Sequence, residues 1–273
     1  MNIIDKQSKF QRITIANDPI YRGEHILYLD TTWQYASAFE YRYHESIATI
    51  PACACAGLDR VLIAGGGDGL AAREILRFGN VEIDLVEIDG EMINLFSEDK
   101  MLVGQNCKSL LDEKCKVHIK NAIDFAKESK EEYDLVILDF PSPSGANAAK
   151  KYDDLFSPDI INLFVSRLKP NGILSAQTSV HTEYLARYAR NMLEFGYYLW
   201  NYDVYYDRRG AHDSFMISSK TNLSQQRDIP AACRYATERH IKTAFGKATE
   251  VGPEELEYYE LFEHIEAIEY ESR

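Results

Sequence analysis

Hydrophobic positions between residues 60 and 138 form short apolar runs that alternate with stretches of helical periodicity. The apolar runs predict buried strands, and the periodic stretches predict helices that cover the sheet. The predicted strands are residues 60–64, 81–87, 117–119 and 134–138, and the predicted helices are residues 70–78, 90–97 and 123–128. This alternation is typical of βαβ units that build a parallel sheet.

The strand and helix patterns continue on both sides of this region. Towards the C-terminus the pattern predicts helices at 158–168 and 183–195, a strand at 173–177 after the turn Lys169-Pro-Asn-Gly172, and an antiparallel pair at 198–206 and 214–218. Towards the N-terminus it predicts strands at 10–15 and 25–29 and a helix over 41–50 that Pro51 ends. We therefore expect an α/β protein with a Rossmann-like sheet of about seven strands and a small N-terminal β domain. The expected domains are an N-terminal β-strand domain, residues 1–52, and a Rossmann-like catalytic domain, residues 53–273.

Charge and cysteine content narrow the class of protein. The net charge is −13, from 43 acidic and 30 basic residues, which disfavours a nucleic-acid partner and suits small cationic molecules. The same charge is also ordinary for a cytosolic protein. The five cysteines are odd in number and lack the spacing of a metal site, which indicates reduced thiols and no metal. No apolar run reaches the ~18 residues of a membrane span, and the first residues lack a signal-peptide core, so we expect a cytoplasmic protein without membrane association.

A glycine-rich turn, Gly65-Gly66-Gly67-Asp68-Gly69, follows the first predicted strand of the parallel sheet. Open α/β sheets bind ligands at this end of their strands, and Glu87 ends the next strand, where a carboxylate can accept hydrogen bonds from ribose hydroxyls. Together they indicate an adenosine-containing ligand. Asp68 would repel a pyrophosphate and suits a sulfonium nucleoside, although it could instead cap the helix that begins near Leu70. Glycines also occur in such turns simply because they tolerate positive φ.

Six stretches along the chain match the motifs of one enzyme family, in order from Ser8 to Phe245. They are Ser8-Lys-Phe-Gln11, Leu29-Asp30 with Gln34 and Tyr43-His-Glu45, Gly65 to Gly69 with Arg73-Glu74, Val86-Glu-Ile-Asp89, Asp139 with Pro143, and Arg234-Tyr235 with His240 and Ala244-Phe245. These residues resemble the motifs of the polyamine aminopropyltransferases, the spermidine synthase-like family.

The resemblance implies roles for individual residues. The residues that would contact the nucleoside are Gln11, His44, Gly65, Gly66, Gly67, Asp68, Glu87, Asn121 and Ala122. Tyr43 and Asp139 would be catalytic and would also handle the amine acceptor, with Asp139 as the proton acceptor. Ser142 and Tyr206 would complete the acceptor pocket.

Three departures from the family pattern concern mainly the acceptor. Ser142 stands where the family has a second aspartate, Asn121 stands where an aspartate is usual, and residues 210–215 lack the usual tryptophan or glycine pattern. Two alternatives therefore stay open beside aminopropyl transfer. One is an S-adenosylmethionine-dependent N-methyltransferase or 3-amino-3-carboxypropyltransferase, and the other is a non-catalytic nucleoside-binding relative.

The resemblance implies decarboxylated S-adenosylmethionine as co-substrate, with S-adenosylmethionine as the alternative, and a small cationic amine as acceptor. Asp68 and Asp139 favour the decarboxylated form, because they would repel the carboxylate of the intact molecule and attract an ammonium. At an effective dielectric constant of ~20, one unit-charge pair at 4 Å is worth ~4 kcal/mol. We further expect a homodimer or homotetramer.

Overall fold

The computed structural model describes residues 2–140, 155, 157–178, 188–189, 191–192, 195–205 and 212–246. The chain begins with a small antiparallel sheet of four consecutive strands. These are β1 (Asn2–Gln7), β2 (Arg12–Asn17), β3 (His25–Leu29) and β4 (Thr32–Ala36). The sequence predicted β2 and β3; the two outer strands were missed. In β2 and β3 an apolar face contributes Ile13, Ile15 and Leu27 to the main core.

The second sheet has seven strands in the order β10-β11-β9-β8-β5-β6-β7, which confirms the predicted fold class. The strands are β5 (Arg60–Gly65), β6 (Glu82–Glu87), β7 (Cys115–Ile119), β8 (Tyr133–Asp139), β9 (Leu168–Gln177), β10 (Tyr198–Tyr205) and β11 (His212–Ser219). The first five are parallel to one another, and β11 runs antiparallel between β9 and β10.

The described helices connect these strands and cover both faces of the large sheet. They are α1 (Glu40–His44), a π-helical turn (Glu45–Thr49), α2 (Ile50–Ala54), α3 (Leu70–Leu76), α4 (Gly90–Glu98), α5 (Lys100–Gln105), a 3₁₀ turn (Ser109–Leu111), α6 (Ala122–Glu128), α7 (Pro158–Val165) and α8 (Glu238–Gly246). No helix in these described parts of the chain is both long and apolar enough to cross a membrane.

The boundaries predicted at Pro51 and at Lys169–Gly172 were wrong, and the helix predicted at 158–168 ends at Val165. Pro51 does not end the first helix, because it occupies the first turn of α2, where its missing N–H is not needed, directly after the π-helical turn. The turn predicted at Lys169–Gly172 is instead the first part of β9, which begins at Leu168 beside Tyr133 of β8. Sequence alternation alone does not reveal this pairing, because it depends on the neighbouring strand.

The core lies on both faces of the large sheet. On one face, Ile63 and Ile137 pack with Ile47 of the π-helical turn and Ala71 of α3. On the other face, Leu62 and Leu138 pack with the α6 and α7 side chains Ala126 and Phe164. The first face also includes the apolar side of the small sheet, so one core fixes the small sheet, α1 and the ends of the central strands. The predicted division between residues 52 and 53 stays a prediction.

Candidate active site

The predicted ligand-binding residues meet at the carboxyl ends of the central strands. Gly65 at the end of β5 lies opposite Asp139 at the end of β8, and Glu87 at the end of β6 lies opposite Ile119 at the end of β7. The order in which strands are added to the sheet reverses between β5 and β8. From β5 the chain adds β6 and then β7 on one side, and it then returns to add β8 and β9 on the other side. A crevice at such a point is the usual ligand site of an open parallel sheet.

The glycine turn after β5 allows these strand ends to approach one another closely. Gly65 has φ +90°, and a Cβ atom at this position would lie 2.1 Å from the backbone oxygen of Asp139. A Cβ on Gly67 would lie 2.7 Å from Cγ of Glu87, whereas the Gly67 amide donates a hydrogen bond to Glu87 Oε2 at 3.2 Å. The glycines at these two positions are therefore required by the close approach of backbone and carboxylates.

Glu87 is held from two sides at the end of β6. Its Oε1 accepts a hydrogen bond from the Asp89 amide at 2.8 Å, in addition to the bond from Gly67. Burial raises the pKa of Glu87 to about 7, against the effect of these backbone hydrogen bonds. Two apolar side chains that sequence reasoning missed lie beside it, Ile88 at 41% and Ile119 at 60% exposure. Ile119 ends β7 and Ile88 follows β6, which was the available signal, and both offer apolar surface next to a hydrogen-bond acceptor.

Asp139 forms a hydrogen bond with Tyr43. These two residues are together the catalytic residues predicted from the sequence. The Tyr43 hydroxyl donates to Asp139 Oδ1 at 2.5 Å. Burial, reinforced by the negative charge of Asp68, raises the pKa of Asp139 to about 6, although His44 and the Tyr43 hydrogen bond act in the opposite direction. A carboxylate in this state is a stronger base than an ordinary aspartate.

His44 belongs to a buried chain of charges behind the site. Its Nδ1 lies 2.9 Å from Glu40 Oε2, and the two oxygens of Glu40 each accept a hydrogen bond from Arg73 at 2.9 Å. Burial lowers the pKa of His44, but the hydrogen bond with Glu40 and the charge of Asp68 outweigh it and raise that pKa to about 9. The i, i+4 spacing of Glu40 and His44 was the sequence signal for this missed pair.

Asp68 combines the two roles that the sequence left open. Its Oδ1 accepts a hydrogen bond from the Leu70 amide at 2.9 Å, next to the start of α3. Its Oδ2 lies 3.8 Å from His44 Nε2. The carboxylate thus stabilises a helix terminus and also places negative charge in the crevice.

The remaining predicted nucleoside residues make contacts within the protein. Gln11 Nε2 donates to Asp89 Oδ2 at 3.1 Å and thereby joins the small sheet to the loop after β6. Asn121 Oδ1 caps α6 by accepting from the Ile123 amide at 2.8 Å. The nucleoside roles of Gln11, Asn121 and Ala122 stay predictions. Ser142 and Tyr206 lie outside the described residues.

On the other side of Asp139 lies a group of side chains that sequence reasoning missed. Gln177 ends β9 and donates from Nε2 to Asp213 Oδ1 at 3.0 Å. The ring of Phe215 lies 5.1 Å from that of Tyr43 and stacks on Tyr202 at 5.8 Å. The signal was weak, because β9 and β11 become neighbours only through the strand order of the sheet.

One cluster within the described residues has the residue types and spacing of a metal site. The possible ligand atoms of Glu45, Glu74 and Cys233 lie within 4.8 Å of one another. However, Arg77 forms an ion pair with Glu74, and Glu45 accepts hydrogen bonds from the amides of residues 234–236. These partners already compensate the negative charge. The expected absence of a metal stays a prediction.

Comparison with known proteins assigns the fold and the family. The structure resembles a spermidine synthase solved in complex with the transition-state analogue AdoDATO, with a TM-score of 0.77 and 24% identity over 89% of this chain and 84% of that one. It also resembles the spermidine synthase of Thermotoga maritima, with a TM-score of 0.75 and 24% identity over 89% of this chain and 83% of that one.

Curated relatives of this chain are named polyamine aminopropyltransferases. A polyamine aminopropyltransferase of Leptospira interrogans is 30% identical over 245 residues, 88% of this chain and 48% of the relative. Another, from Prochlorococcus marinus, is 38% identical over 178 residues, 64% of this chain and 59% of the relative. The chain thus spans about half the length of these relatives. A family model described as the spermine/spermidine synthase domain matches residues 40–206, and the chain therefore belongs to the spermine/spermidine synthase family.

Proposed function

We propose that the chain is an aminopropyltransferase that moves the aminopropyl group of decarboxylated S-adenosylmethionine to a small amine. The observation that carries the proposal is the hydrogen bond from Tyr43 to Asp139, in a crevice that Glu87 and the glycine turn also border. The curated relatives named polyamine aminopropyltransferases support it. The structural neighbour bound to AdoDATO supports it as well.

The residues beside Glu87 suit the nucleoside part of the co-substrate. The Glu87 carboxylate can accept hydrogen bonds from ribose hydroxyls, and the glycine turn admits the ligand close to the backbone. Ile88 and Ile119 offer apolar contact to a purine ring. The sulfonium and the aminopropyl tail would then lie towards Asp68 and Asp139, whose negative charges favour cations.

The proposed reaction is a displacement at the carbon bonded to the sulfonium sulfur. The lone pair of the amine nitrogen forms the new C–N bond while the C–S bond breaks, and its electron pair stays on sulfur, which leaves as the neutral thioether 5′-methylthioadenosine. Before this attack, the ammonium form of the amine loses one proton to Asp139, which passes it to water, and the lone pair of the nitrogen becomes free. Free aliphatic amines have a pKa of about 10 and arrive mostly as ammonium ions. The raised pKa of Asp139, about 6, brings its basicity closer to that of the amine.

One observation favours a second donor, intact S-adenosylmethionine. The raised pKa of His44, about 9, keeps a positive charge near Asp68, and this charge could attract a carboxylate. Against it stand the negative charges of Asp68 and Asp139, and Glu40 already neutralises His44 on its other nitrogen. We therefore propose the decarboxylated molecule as donor and 3-amino-3-carboxypropyl transfer as the competing activity.

The decisive experiment supplies each of the two sulfonium nucleosides with a panel of amines and identifies the products by mass spectrometry. We expect 5′-methylthioadenosine and an aminopropylated amine from the decarboxylated donor only. The variant Asp139→Asn should lower kcat by about 10²- to 10⁴-fold, the usual value of a general base. It should still bind 5′-methylthioadenosine in a thermal-shift assay.

A matched control is Asp124→Asn, which removes an exposed carboxylate from the first turn of α6. Full activity of this control would exclude a general effect of net charge. A fully active Asp139→Asn enzyme would refute the proton-acceptor role. Failure of the wild-type protein to convert either nucleoside with any amine would refute the enzymatic function and favour a nucleoside-binding role.

The proposal also covers the localisation, the substrate partners, the oligomeric state and the domain boundary of the protein. We propose a cytoplasmic enzyme with small cationic amines as partners, which the net charge of −13 supports. We also propose a homodimer or homotetramer and a domain boundary between residues 52 and 53. Light scattering after size-exclusion chromatography tests the oligomeric state, and limited proteolysis tests the boundary.

A further inference from the structure

We infer that Asn106 and Ser109 are positioning residues that hold the Asp68 carboxylate in place for the positive charge of the donor. The inference rests on the proposed function, in which the sulfonium and the aminopropyl tail of the donor lie towards Asp68. Asn106 and Ser109 lie between α5 and β7, outside the glycine turn and outside the stretches that carry the family resemblance.

Two successive carbonyl groups at the end of the glycine turn accept hydrogen bonds from these side chains. Asn106 Nδ2 donates to the carbonyl of Asp68 at 3.0 Å. The Ser109 hydroxyl donates to the carbonyl of Gly69 at 2.6 Å. Asn106 is fully buried and Ser109 is 1% exposed, so a displaced turn would leave polar groups without partners in the interior. The backbone of Asp68 is therefore held in one position.

The packing against Gly69 restricts the turn further. Gly69 has φ +76°, and a Cβ atom at this position would lie 2.6 Å from Ser109 Oγ and 2.7 Å from Leu110 Cγ. The Gly69 amide also donates to the carbonyl of Gly66 at 2.9 Å, within the turn. The segment of Asn106 and Ser109 thus lies directly against the turn, with no room between them.

The backbone between the two residues has an uncommon conformation. Cys107 and Lys108 have φ of +54° and +63°, in the left-handed region that residues with a Cβ rarely adopt. Both side chains are exposed, so the conformation does not serve to bury them. Asn106 Oδ1 accepts a hydrogen bond from the Lys108 amide at 3.0 Å, which stabilises this corner. Strained conformations of this kind are found at functional sites, and here the corner brings Asn106 and Ser109 to neighbouring carbonyls.

The corner is anchored on helices outside the glycine turn. Asn106 Nδ2 also donates to the carbonyl of Phe96 in α4 at 2.9 Å. Arg73 of α3 donates to the carbonyl of Gln105 at 2.8 Å, and the same nitrogen donates to Glu40 at 2.9 Å. The corner is thereby joined to the buried chain of charges behind the site and gives Asp68 a fixed support.

The position of Asp68 decides how strongly it attracts a cation in the crevice. Its Oδ1 accepts from the Leu70 amide and its Oδ2 lies 3.8 Å from His44 Nε2. At an effective dielectric constant of ~20, moving a cation from about 4 Å to about 5 Å from a carboxylate weakens binding by about fourfold, and moving it to about 6 Å weakens binding by about tenfold. Asn106 and Ser109 therefore act on the donor through Asp68.

The experiment measures the binding of two nucleosides by calorimetry. Decarboxylated S-adenosylmethionine carries the sulfonium and the ammonium, whereas 5′-methylthioadenosine carries neither charge. We expect Ser109→Ala to weaken binding of the charged nucleoside by about fourfold and Asn106→Ala by about tenfold, which corresponds to displacements of about 1 Å and 2 Å. The affinity for 5′-methylthioadenosine should change by less than about twofold. General loosening of the fold would weaken both nucleosides alike.

A double variant tests whether Asp68 transmits the effect. Asp68→Asn removes the charge and keeps an oxygen that can accept from the Leu70 amide. When Ser109→Ala is added to Asp68→Asn, the ratio of the two dissociation constants should stay the same within about 1.5-fold. Residues that act through one group are not additive with its removal.

The matched control is Ser175→Ala. Ser175 is fully buried in β9, and its hydroxyl donates to the carbonyl of Ile47 at 2.8 Å, so the substitution removes the same kind of hydrogen bond. We expect it to lower the melting temperature by about 2–4 °C, as Ser109→Ala does, and to leave the ratio of the two dissociation constants unchanged.

Three results would overturn the inference. They are an equal loss for both nucleosides in Ser109→Ala, no loss for either, and an undiminished effect of Ser109→Ala in the Asp68→Asn protein. Each leaves the proposed function intact, since the wild-type enzyme still transfers the aminopropyl group. A wild-type protein that converts neither sulfonium nucleoside with any amine refutes that function and the inference with it. Should Asn106→Ala fail to fold, Ser109→Ala and its double variant decide the question.

Discussion

Replacing Tyr43 with phenylalanine removes one hydroxyl from the site and keeps the ring that packs against Phe215. In the wild-type protein this hydroxyl donates to Asp139 at 2.5 Å and lowers the pKa of Asp139, which other effects raise to about 6. In Tyr43→Phe we therefore expect a higher pKa for Asp139. The proposed base is then protonated at a pH where the wild-type base is still ionised.

The size of the change follows from the bond that is lost. A hydrogen bond to a charged group contributes about 1.5–3 kcal/mol, and one pKa unit corresponds to about 1.4 kcal/mol. Water can replace part of the lost bond, so we take the lower end of this range. The acid limb of the profile of kcat/KM against pH should then move upward by about one pH unit from its wild-type midpoint near pH 6.

The assay measures kcat/KM for one amine between pH 5 and pH 9 in both proteins. Protonation of the amine itself affects both equally, so the ratio of variant to wild type isolates the enzyme. This ratio should be lowest below pH 6 and should reach a plateau at high pH. The control is Tyr202→Phe, which loses a hydroxyl bonded to the Ser46 carbonyl at 2.6 Å on the same face of the sheet. A ratio for Tyr43→Phe that does not depend on pH would refute the reasoning.

Two further predictions concern the carboxylates of Glu87 and Glu40. The raised pKa of Glu87, about 7, means that its carboxylate protonates as pH falls, so the affinity for 5′-methylthioadenosine should fall by up to about tenfold between pH 8 and pH 6. Calorimetry checks this, and Glu87→Gln should bind weakly with no such dependence. Glu40→Gln should lower the free energy of unfolding by about 3–5 kcal/mol because it leaves buried charges unpaired. Since the pKa of Glu40 is held at about 2 and that of His44 at about 9, the loss in urea denaturation should be largest from about pH 4.5 to 6.5 and should shrink as pH rises from about 6.5 to 9. A loss independent of pH would contradict that account.

The parts of the fold that depend on local pattern were predictable. The strands that end at Gly65, Glu87 and Asp139 are apolar runs buried on both faces, and such runs have few alternatives. The two outer strands of the small sheet, β1 (NIIDKQ) and β4 (TWQYA), were missed because neither shows a regular alternation of apolar and polar residues. The error at Pro51 arose because a proline at the first turn of a new helix looks in sequence like the end of the old one.

In the candidate site, too, some contacts could be predicted from the sequence and others could not. Gly65, Gly67, Glu87 and Asp139 could be brought together from the sequence because parallel strands share a carboxyl edge. The bidentate contact of Glu40 with Arg73 could not, since the two residues are 33 positions apart and meet only when α1 packs on α3. The pairing of Gln177 with Asp213 depends on an antiparallel strand inserted beside β9, which periodicity does not reveal.

The contact of Glu45 with residues 234–236 has a consequence for the order of folding. Glu45 follows Tyr43 and His44 directly, and its carboxylate accepts hydrogen bonds from three amides that lie 189 to 191 residues later in the chain. During synthesis this buried carboxylate has no such partners until residue 236 has left the ribosome. Contacts of such separation form late and slowly. The segment that carries the proposed catalytic tyrosine therefore depends, for one of its buried charges, on residues from the far end of the described chain.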